Sequence, residues 1–463
     1  MARALRDVAY GVPDYALSVL RALEAAGFEA WVVGGWVRDA LLGAPCHDVD
    51  ITTSAHWRDA ERVLDSCGIA VRETGTAHGT VTAIVGGKPV EVTTYRVESS
   101  YTDHRHPDDV VFVDDVREDL KRRDFTINAM AYHPERGLLD PHGGRDDLDL
   151  GLIRAVGDPR LRFSEDALRV LRAVRFACRL GFDVEPRTQE ALARCADGLE
   201  DIANERIGQE LDGIVCTGAV AWALAHEMPV LGVAVPELKP LVAFDQRSPY
   251  HAYDVLEHTM RVCRAVEEFT GGNASRELRW AALMHDVAKP ITFTQDETGR
   301  GHFFDHPKVG ARVCELLMRR LALPHDLIIP VRSLVRLHDH VVSPTSRSMR
   351  RTLMKFDKAC PGRAPRLAFD LLDLKRADAV SKVDWVAGYA IELDGIELAL
   401  RRELERGATY RMGDLAVNGS DVISATGIKP GPGVGLILQG LLSAVVNGDL
   451  PNEREELLRS LQI

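Results

Sequence analysis

No apolar run in this 463-residue chain approaches the roughly 20 residues that a bilayer-spanning helix needs. The opening MARALRDVAYGVPDYA also lacks the continuous apolar core of a secretory leader. Paired cysteines are missing too. Eight cysteines stand singly at 46, 67, 178, 195, 216, 263, 314 and 360, with no CxxC. That excludes a disulfide framework and a cysteine zinc site, and it suits reduced thiols in a cytoplasmic protein. Internal repeats and low-complexity tracts are absent. Positive charge is in deficit, with 57 Lys and Arg against 69 Asp and Glu, a net charge of −12. The deficit argues mildly against nucleic acid but does not exclude RNA, because a local basic stripe matters more than the total. What remains is an ordinary globular composition, 46% hydrophobic and 27% charged, long enough for about three domains.

The chain is organised around VVGGWVRDALLGAPCHDVDITTSA, residues 32–55. Val32 and Val33 read as the end of a strand. Gly34 and Gly35 follow, where backbone bends sharply or passes close to a neighbour. Trp36 to Leu42 reads as a short helix stopped by Gly43. Asp48-Val49-Asp50 then runs into Ile51-Thr52-Thr53. As a strand, that run points both carboxylates to one face, about 7 Å apart, with Val49 buried behind them. Such a pair repels itself unless cations intervene, and it suits two Mg²⁺ placed for in-line phosphoryl transfer. Arg38, beside the glycines, can reach a phosphate with two parallel hydrogen bonds. A bare Gly-Gly is usually a turn, and a bare D-x-D is usually a solvated strand end; the ordered combination is far more specific. It resembles the signature of the nucleotidyltransferase superfamily that holds polymerase β, and more closely that of class II tRNA nucleotidyltransferases and bacterial poly(A) polymerases.

Downstream motifs extend the resemblance. Residues 13–27 form an amphipathic helix pattern, 56–67 a second, and Val81–Val85 with Val90–Tyr95 a hairpin turned at Gly86-Gly87. Glu91 in that hairpin reads as a sheet-edge residue or, by the resemblance, as a third acid beside the metal pair. Residues 96–117 read as a polar loop. Within it, Tyr101–Pro107 resembles the flexible loop that the CCA-adding family needs for its final adenosine. Arg122, Arg123 and Asp124 precede a helix pattern near Thr126, and arginines at a helix start can cradle a triphosphate. RRDFTINAMA closely matches a family motif; the match implies that Arg123 touches the nucleotide and Asn128 holds its sugar or phosphate region. Residues 163–182 read as one helix ending at Gly181, with Asp166, Arg169 and Arg172 on one face. That face suits a solvated ion pair. The resemblance instead assigns Asp166 and Arg169 to reading the base, C or A against G or U, with Arg172 and Arg175 in support.

The order His258…His285-Asp286…Asp378 resembles the HD phosphohydrolase superfamily and implies a divalent transition metal or Mg²⁺ there. His306 and His338 are candidates for a second site. Arg347, Arg350, Arg351, Lys355 and Lys358 form a basic cluster, either a solvated helix face or a phosphate contact.

The resemblance spans nearly the whole chain and implies an α+β protein. A polymerase-β-like head of mixed sheet and helices (1–150) precedes an all-α neck (151–215), an HD-containing body (216–385) and a tRNA-binding tail (386–463). It implies template-independent addition of CCA to tRNA 3′ ends from CTP and ATP. Asp48 and Asp50 would hold two Mg²⁺, and Gly34, Gly35, Arg38 and Arg123 would surround the phosphates. An HD hydrolase side activity is a further expectation, as is the absence of a membrane partner. The alternatives are a poly(A) polymerase, an enzyme adding only C or only A, and an HD phosphohydrolase whose head merely binds tRNA.

Overall fold

The computed structural model describes residues 11–46, 48–99, 109–383 and 388–461. Tyr101–Pro107, the loop expected to serve the last adenosine, lies outside them. The chain divides into two compact units, Met1–Leu211 with Pro229–Ala234, and Asp212–Met228 with Val235–Ile463.

The first unit is built on a seven-stranded mixed sheet. Its strands are β1 (Ala30–Val33), β2 (Asp50–Thr53), β3 (Ala70–Gly75), β4 (Thr80–Val85), β5 (Lys88–Thr94), β8 (Ala131–His133) and β9 (Gly137–Leu139). They run in the order β3-β4-β5-β2-β1-β8-β9. All pairs are antiparallel except β2 with β5. All four residues of β1 are buried, as expected of a strand covered on both faces. Trp31 and Val33 pack against Tyr95, Val116 and Leu120. The mixed sheet with helices matches the expected fold class.

Three local expectations need correction. Residues 96–117 are not a plain loop: β6 (Arg96–Ser99) pairs antiparallel with β7 (Asp109–Phe112), and a helix follows at Val116–Lys121. The apolar run Val110–Val113 lies between Asp108-Asp109 and Asp114-Asp115 and has no alternation to mark it as a strand. The helix expected near Thr126 is one 3-10 turn, Thr126–Asn128, that leads straight into β8. Helix-dipole support for the neighbouring arginines is therefore lost. The single helix over 163–182 is two, Pro159–Glu165 and Leu168–Leu180, because Asp166 is extended (φ −140°, ψ 102°). Its carboxylate accepts the Leu168 N–H at 3.1 Å, a cap that competes with helix continuation. Gly181 ends the second helix at φ +66° as expected.

The second unit is helical apart from a short hairpin of Thr294–Gln295 with Gly301–His302. Helices Val255–Thr270, Arg276–Met284, His306–Arg320, His325–Leu337 and Ala364–Val380 surround the HD residues. The C-terminal helices have an apolar cluster of their own around Val422, Leu442, Val446 and Leu457. In the basic cluster, Arg350 is tied to Glu403, Arg351 to Asn447 and Lys355 to His340. Arg350 is part-buried in that contact, whereas Arg351 and Lys355 stay exposed. No helix among the described residues is long and apolar enough to cross a membrane.

Asp370 offers a stability test. It is 8% exposed and accepts the Ser275 hydroxyl at 2.9 Å, and burial pushes its carboxyl up to about 6. The unfolded chain releases this proton near pH 3.8 and the folded chain only near 6. Stability therefore falls as pH rises through that window, by roughly 3 kcal/mol from this group. Asp370→Asn should keep the Ser275 contact and flatten that part of the pH–stability curve in urea unfolding. An unchanged curve would remove Asp370 as the cause.

Candidate active site and HD centre

The acidic site lies where β2 begins. Register pairs Asp50 with Val33 of β1 on one side and Glu91 of β5 on the other. Because β2 and β5 are paired in register, Asp50 and Glu91 sit side by side. Burial pushes the Asp50 carboxyl up to about 6, with Glu91 and Asp48 adding to the rise and Arg123 opposing it. Asp48 is exposed and lies just before the strand rather than within it. Glu91 and Asp48 are thus near enough to act on Asp50, and carboxylates are hard oxygen donors of the kind Mg²⁺ prefers.

Gly34 fits this cluster sterically. It adopts φ +73°, and a Cβ there would lie 3.2 Å from Arg123 Nη1 and 3.5 Å from Asp50 Oδ2. Glycine is needed both for that backbone conformation and for the close approach. Gly35 opens the helix Gly35–Leu42, which Gly43 ends at φ +68°.

Arg38 is not an open fork. It is 3% exposed, donates from Nε to Asp39 (2.8 Å) and from Nη1 to Asn128 Oδ1 (2.7 Å), and lies over the Phe176 ring. Asn128 in turn donates to Asp124, whose other oxygen receives two hydrogen bonds from Arg172, at 2.7 and 2.9 Å. Burial alone would raise the Asp124 carboxyl; Arg172 and Asn128 bring it down to about 2. Arg175 reaches Glu210, and Arg172 and Arg175 also lie over Phe176. A continuous polar chain thus links the glycine-rich turn to helix Leu168–Leu180. Asp124, named beside Arg122 and Arg123 without a role of its own, joins it, as does Phe176, for which the sequence offered no signal. Arg122, beside Arg123, is held by Asp119.

Asp166 and Arg169 do not pair with each other. Asp166 takes Arg206 Nη2 at 3.1 Å. Arg169 places Nη1 on Glu165 at 2.7 Å and Nη2 on the Arg122 carbonyl at 3.2 Å. Both are therefore oriented by neighbours on the first unit.

The second unit gathers the HD residues into two sets whose ligand atoms lie within 4.8 Å of one another: His258, His285 and Asp378, and Asp286, His306 and His338. Among the described residues, these are the sets that meet that spacing. Asp286 contacts both: Oδ2 is 3.4 Å from His258 Nε2 and 3.2 Å from His285 Nε2, while Oδ1 is 3.4 Å from His306 Nε2. The four imidazoles share one device. Each Nδ1 faces a backbone carbonyl, of Ser381, Ala282, Phe303 and Val335 respectively, at 2.7–3.2 Å. A proton on Nδ1 leaves Nε2 as a lone pair aimed into the cluster, the orientation metal-ligating histidines use. Nε2 atoms only 3.4 Å apart (His258, His285) and 3.2 Å apart (His306, His338) repel as neutral lone pairs unless a cation lies against them. Burial pushes His338 down to about 3, which favours the neutral form. The donor set thus fits a divalent transition metal or Mg²⁺. Lys289 Nζ, 2.7 Å from Asp286, was missed; its place one turn after the HD pair was the signal.

Residues 30–154 match the poly A polymerase head domain, and that head with its strand-borne acids defines a nucleotidyltransferase. Residues 181–241 match the probable RNA and SrmB-binding site of polymerase A, 250–382 the HD domain, and 410–461 the putative tRNA nucleotidyltransferase domain 2. A CCA-adding enzyme of Limosilactobacillus reuteri is 33% identical over 444 residues, 96% of this chain and 95% of that one. The Bacillus stearothermophilus CCA-adding enzyme, solved in complex with CTP, superposes with a TM-score of 0.69 at 30% identity, covering 96% of each chain. The Thermotoga maritima CCA-adding enzyme, solved with tRNA, shares the fold at a TM-score of 0.56 and 21% identity over 99% and 98% of the two chains. The chain belongs to the CCA-adding enzymes, a family of tRNA nucleotidyltransferases.

Proposed function

We propose that this enzyme adds CCA to the 3′ end of tRNA from CTP and ATP without a nucleic-acid template, releasing pyrophosphate. The supporting observation is the juxtaposition of Asp48, Asp50 and Glu91 with Arg123 at Gly34, in a chain similar along 96% of its length to CCA-adding enzymes. Asp48 and Asp50 are the residues that would hold two Mg²⁺, with Glu91 beside them; the ions would activate the tRNA 3′-hydroxyl and neutralise charge on the leaving pyrophosphate. Arg123, whose Nε is buried without a hydrogen-bond partner, is placed to receive phosphate oxygens. Arg38 acts from beneath, holding Asn128 and the turn rather than gripping phosphate directly. Asp166 and Arg169 read the pairing edge of the incoming base, Arg169 exchanging Glu165 for the base as it does so. Arg172 and Arg175 fix the helix that carries them. The organisation proposed is a head over residues 1–150, a neck over 151–215, a body over 216–385 and a tail over 386–463 that meets tRNA.

The test offers tRNA ending before CCA with CTP alone, ATP alone, and both, and sequences the ends. Full CCA only with both nucleotides supports the proposal. Homopolymeric A, or arrest after C alone, would redirect it to a poly(A) polymerase or a partial-addition enzyme. In the same assay Arg169→Ala should lower discrimination against G and U by roughly tenfold, the worth of one bidentate base contact, with a smaller loss of triphosphate affinity. Equal selectivity in variant and parent would remove Arg169 from base reading.

A second activity is supported by the HD cluster. His258, His285, Asp286 and Asp378 would hold a divalent metal, with His306 and His338 completing a second site. The reaction is hydrolysis of phosphate esters, with 2′,3′-cyclic ends of damaged tRNA among the candidates.

A further inference from the structure

Three helices of the second unit each turn a pair of cations into one groove. Lys308 and Arg312 stand a turn apart on His306–Arg320, Arg332 and Arg336 on His325–Leu337, and Lys355 and Lys358 on Ser346–Ala359. All six line a groove of about 700 Å³. Like charges at such spacing repel and weaken a helix, so three pairs aimed at one space do not stabilise the empty fold. Composition does not account for them either, because the chain carries a net charge of −12. Glu315 is the one carboxylate in the lining. It is already shared by Arg319 at 2.9 Å, Arg332 at 3.1 Å and Arg312 at 3.7 Å. Lys308, Arg336 and Lys358 are exposed and have no ion-pair partner among the described residues. Lys355 Nζ lies 2.9 Å from His340, an imidazole that burial and this same ammonium push down. The groove therefore holds more positive charge than its own groups neutralise.

Its size and charge together select an occupant. The volume falls within the roughly 300–1,000 Å³ of small-molecule sites. A nucleic-acid strand carries one charge about every 3.4 Å, so a strand crossing a space roughly 9 Å wide presents about three charges. A chain of three phosphates is of similar length and carries about four to five, nearly two on each end and one between. Arg336, with its fork uncommitted, can take two oxygens of one phosphate, and the lysines supply point charges.

We propose that this groove binds a compact polyphosphate, either inorganic or carried on a nucleoside. Bound there, the ligand bridges the helix that His306 opens to the helix that His338 follows, and both to Ser346–Ala359. The inference rests on neither proposed activity.

Lysine footprinting of the full-length protein tests it, with inorganic tripolyphosphate as the probe. Saturating probe should slow acetylation of Lys308, Lys355 and Lys358 and leave Lys239 and Lys429, exposed elsewhere, unaffected. The readout is local, so binding of the probe by the head does not enter it. Arg336→Ala removes an exposed side chain and should leave folding intact. It should raise the concentration that half-protects Lys355 and Lys358 by roughly tenfold, the worth of one charge-assisted contact. Orthophosphate should protect only at far higher concentration. Protection by orthophosphate and tripolyphosphate at equal concentrations, or unaltered half-protection in Arg336→Ala, would overturn the site. Absence of protection by tripolyphosphate would overturn it too; protection of the same lysines by tRNA alone would make the groove a track for RNA phosphates instead. ATP against tripolyphosphate, both without Mg²⁺, separates the sources. Half-protection at a lower concentration of ATP assigns the groove to nucleotides, and half-protection at an equal or higher one assigns it to inorganic chains.

Discussion

Asp48→Ala is expected to abolish nucleotide addition, lowering kcat by roughly 10³-fold or more, while HD-cleft hydrolysis continues. Metal stabilisation of the transition state is worth several kcal/mol, and each 1.36 kcal/mol is a factor of about ten in rate. Asp48 is exposed and stands outside the strand, so its loss should cost about 0.5 kcal/mol of stability at most. A collapse of activity would thus report chemistry rather than unfolding, which a thermal melt confirms. Relief of Asp48's pressure on Asp50 should not rescue addition, because the remaining pair has fewer oxygens to offer a second ion. Addition at the parental rate would discard the head as the catalytic centre.

The reciprocal variant, Asp286→Asn, should lose hydrolysis by a similar factor and retain CCA addition. Asp286 is 2% exposed and stands between the two histidine sets, with Lys289 Nζ at 2.7 Å. Removing its charge leaves a buried ammonium beside Gln246, His251 and the Phe303 ring, without its anionic partner. Breaking such a pair costs about 3–5 kcal/mol, so both assays belong at 25 °C with folding checked by circular dichroism. Metal content per chain, measured after dialysis, supplies a readout independent of turnover and should fall relative to the parent. Parental metal content and hydrolysis in the variant would remove Asp286 from the centre. The two variants together test whether the two chemistries are separable.

Much of the head was legible because its signals are local. Gly34-Gly35 before Trp36 and Gly43 after Leu42 bracket a helix that needs no distant partner to be recognised. The hairpin turned at Gly86-Gly87 is read from alternation alone, and β4 and β5 form it. The break at Asp166 was not legible, because the residues from Phe163 to Phe182 keep helical periodicity across it. A side-chain oxygen on the Leu168 N–H interrupts the helix where the apolar stripe does not. The strand pair Arg96–Ser99 and Asp109–Phe112 was hidden for the opposite reason, because a short apolar run bounded by acids shows no alternation. Arg38 carried a misleading signal: a basic residue beside glycines suggests an open phosphate fork, yet Phe176, Asn128 and Asp39 enclose it. Asn128 and Phe176 come from stretches of chain far from Arg38.

The order of motifs, the adjacency of Asp48 and Asp50, and the succession His258, His285-Asp286, Asp378 belong to the chain itself and could be read from it. Tertiary structure decided which of these groups face one another. Asp50 meets Glu91 because β2 and β5 pair in parallel register. His306 and His338 join Asp286 because two helices, His306–Arg320 and His325–Leu337, present the start of one and the end of the other to the same cluster. Electrostatic repulsion between like groups, and the backbone carbonyls that orient each imidazole, act only across such through-space distances. Spacing along the chain carries no record of them.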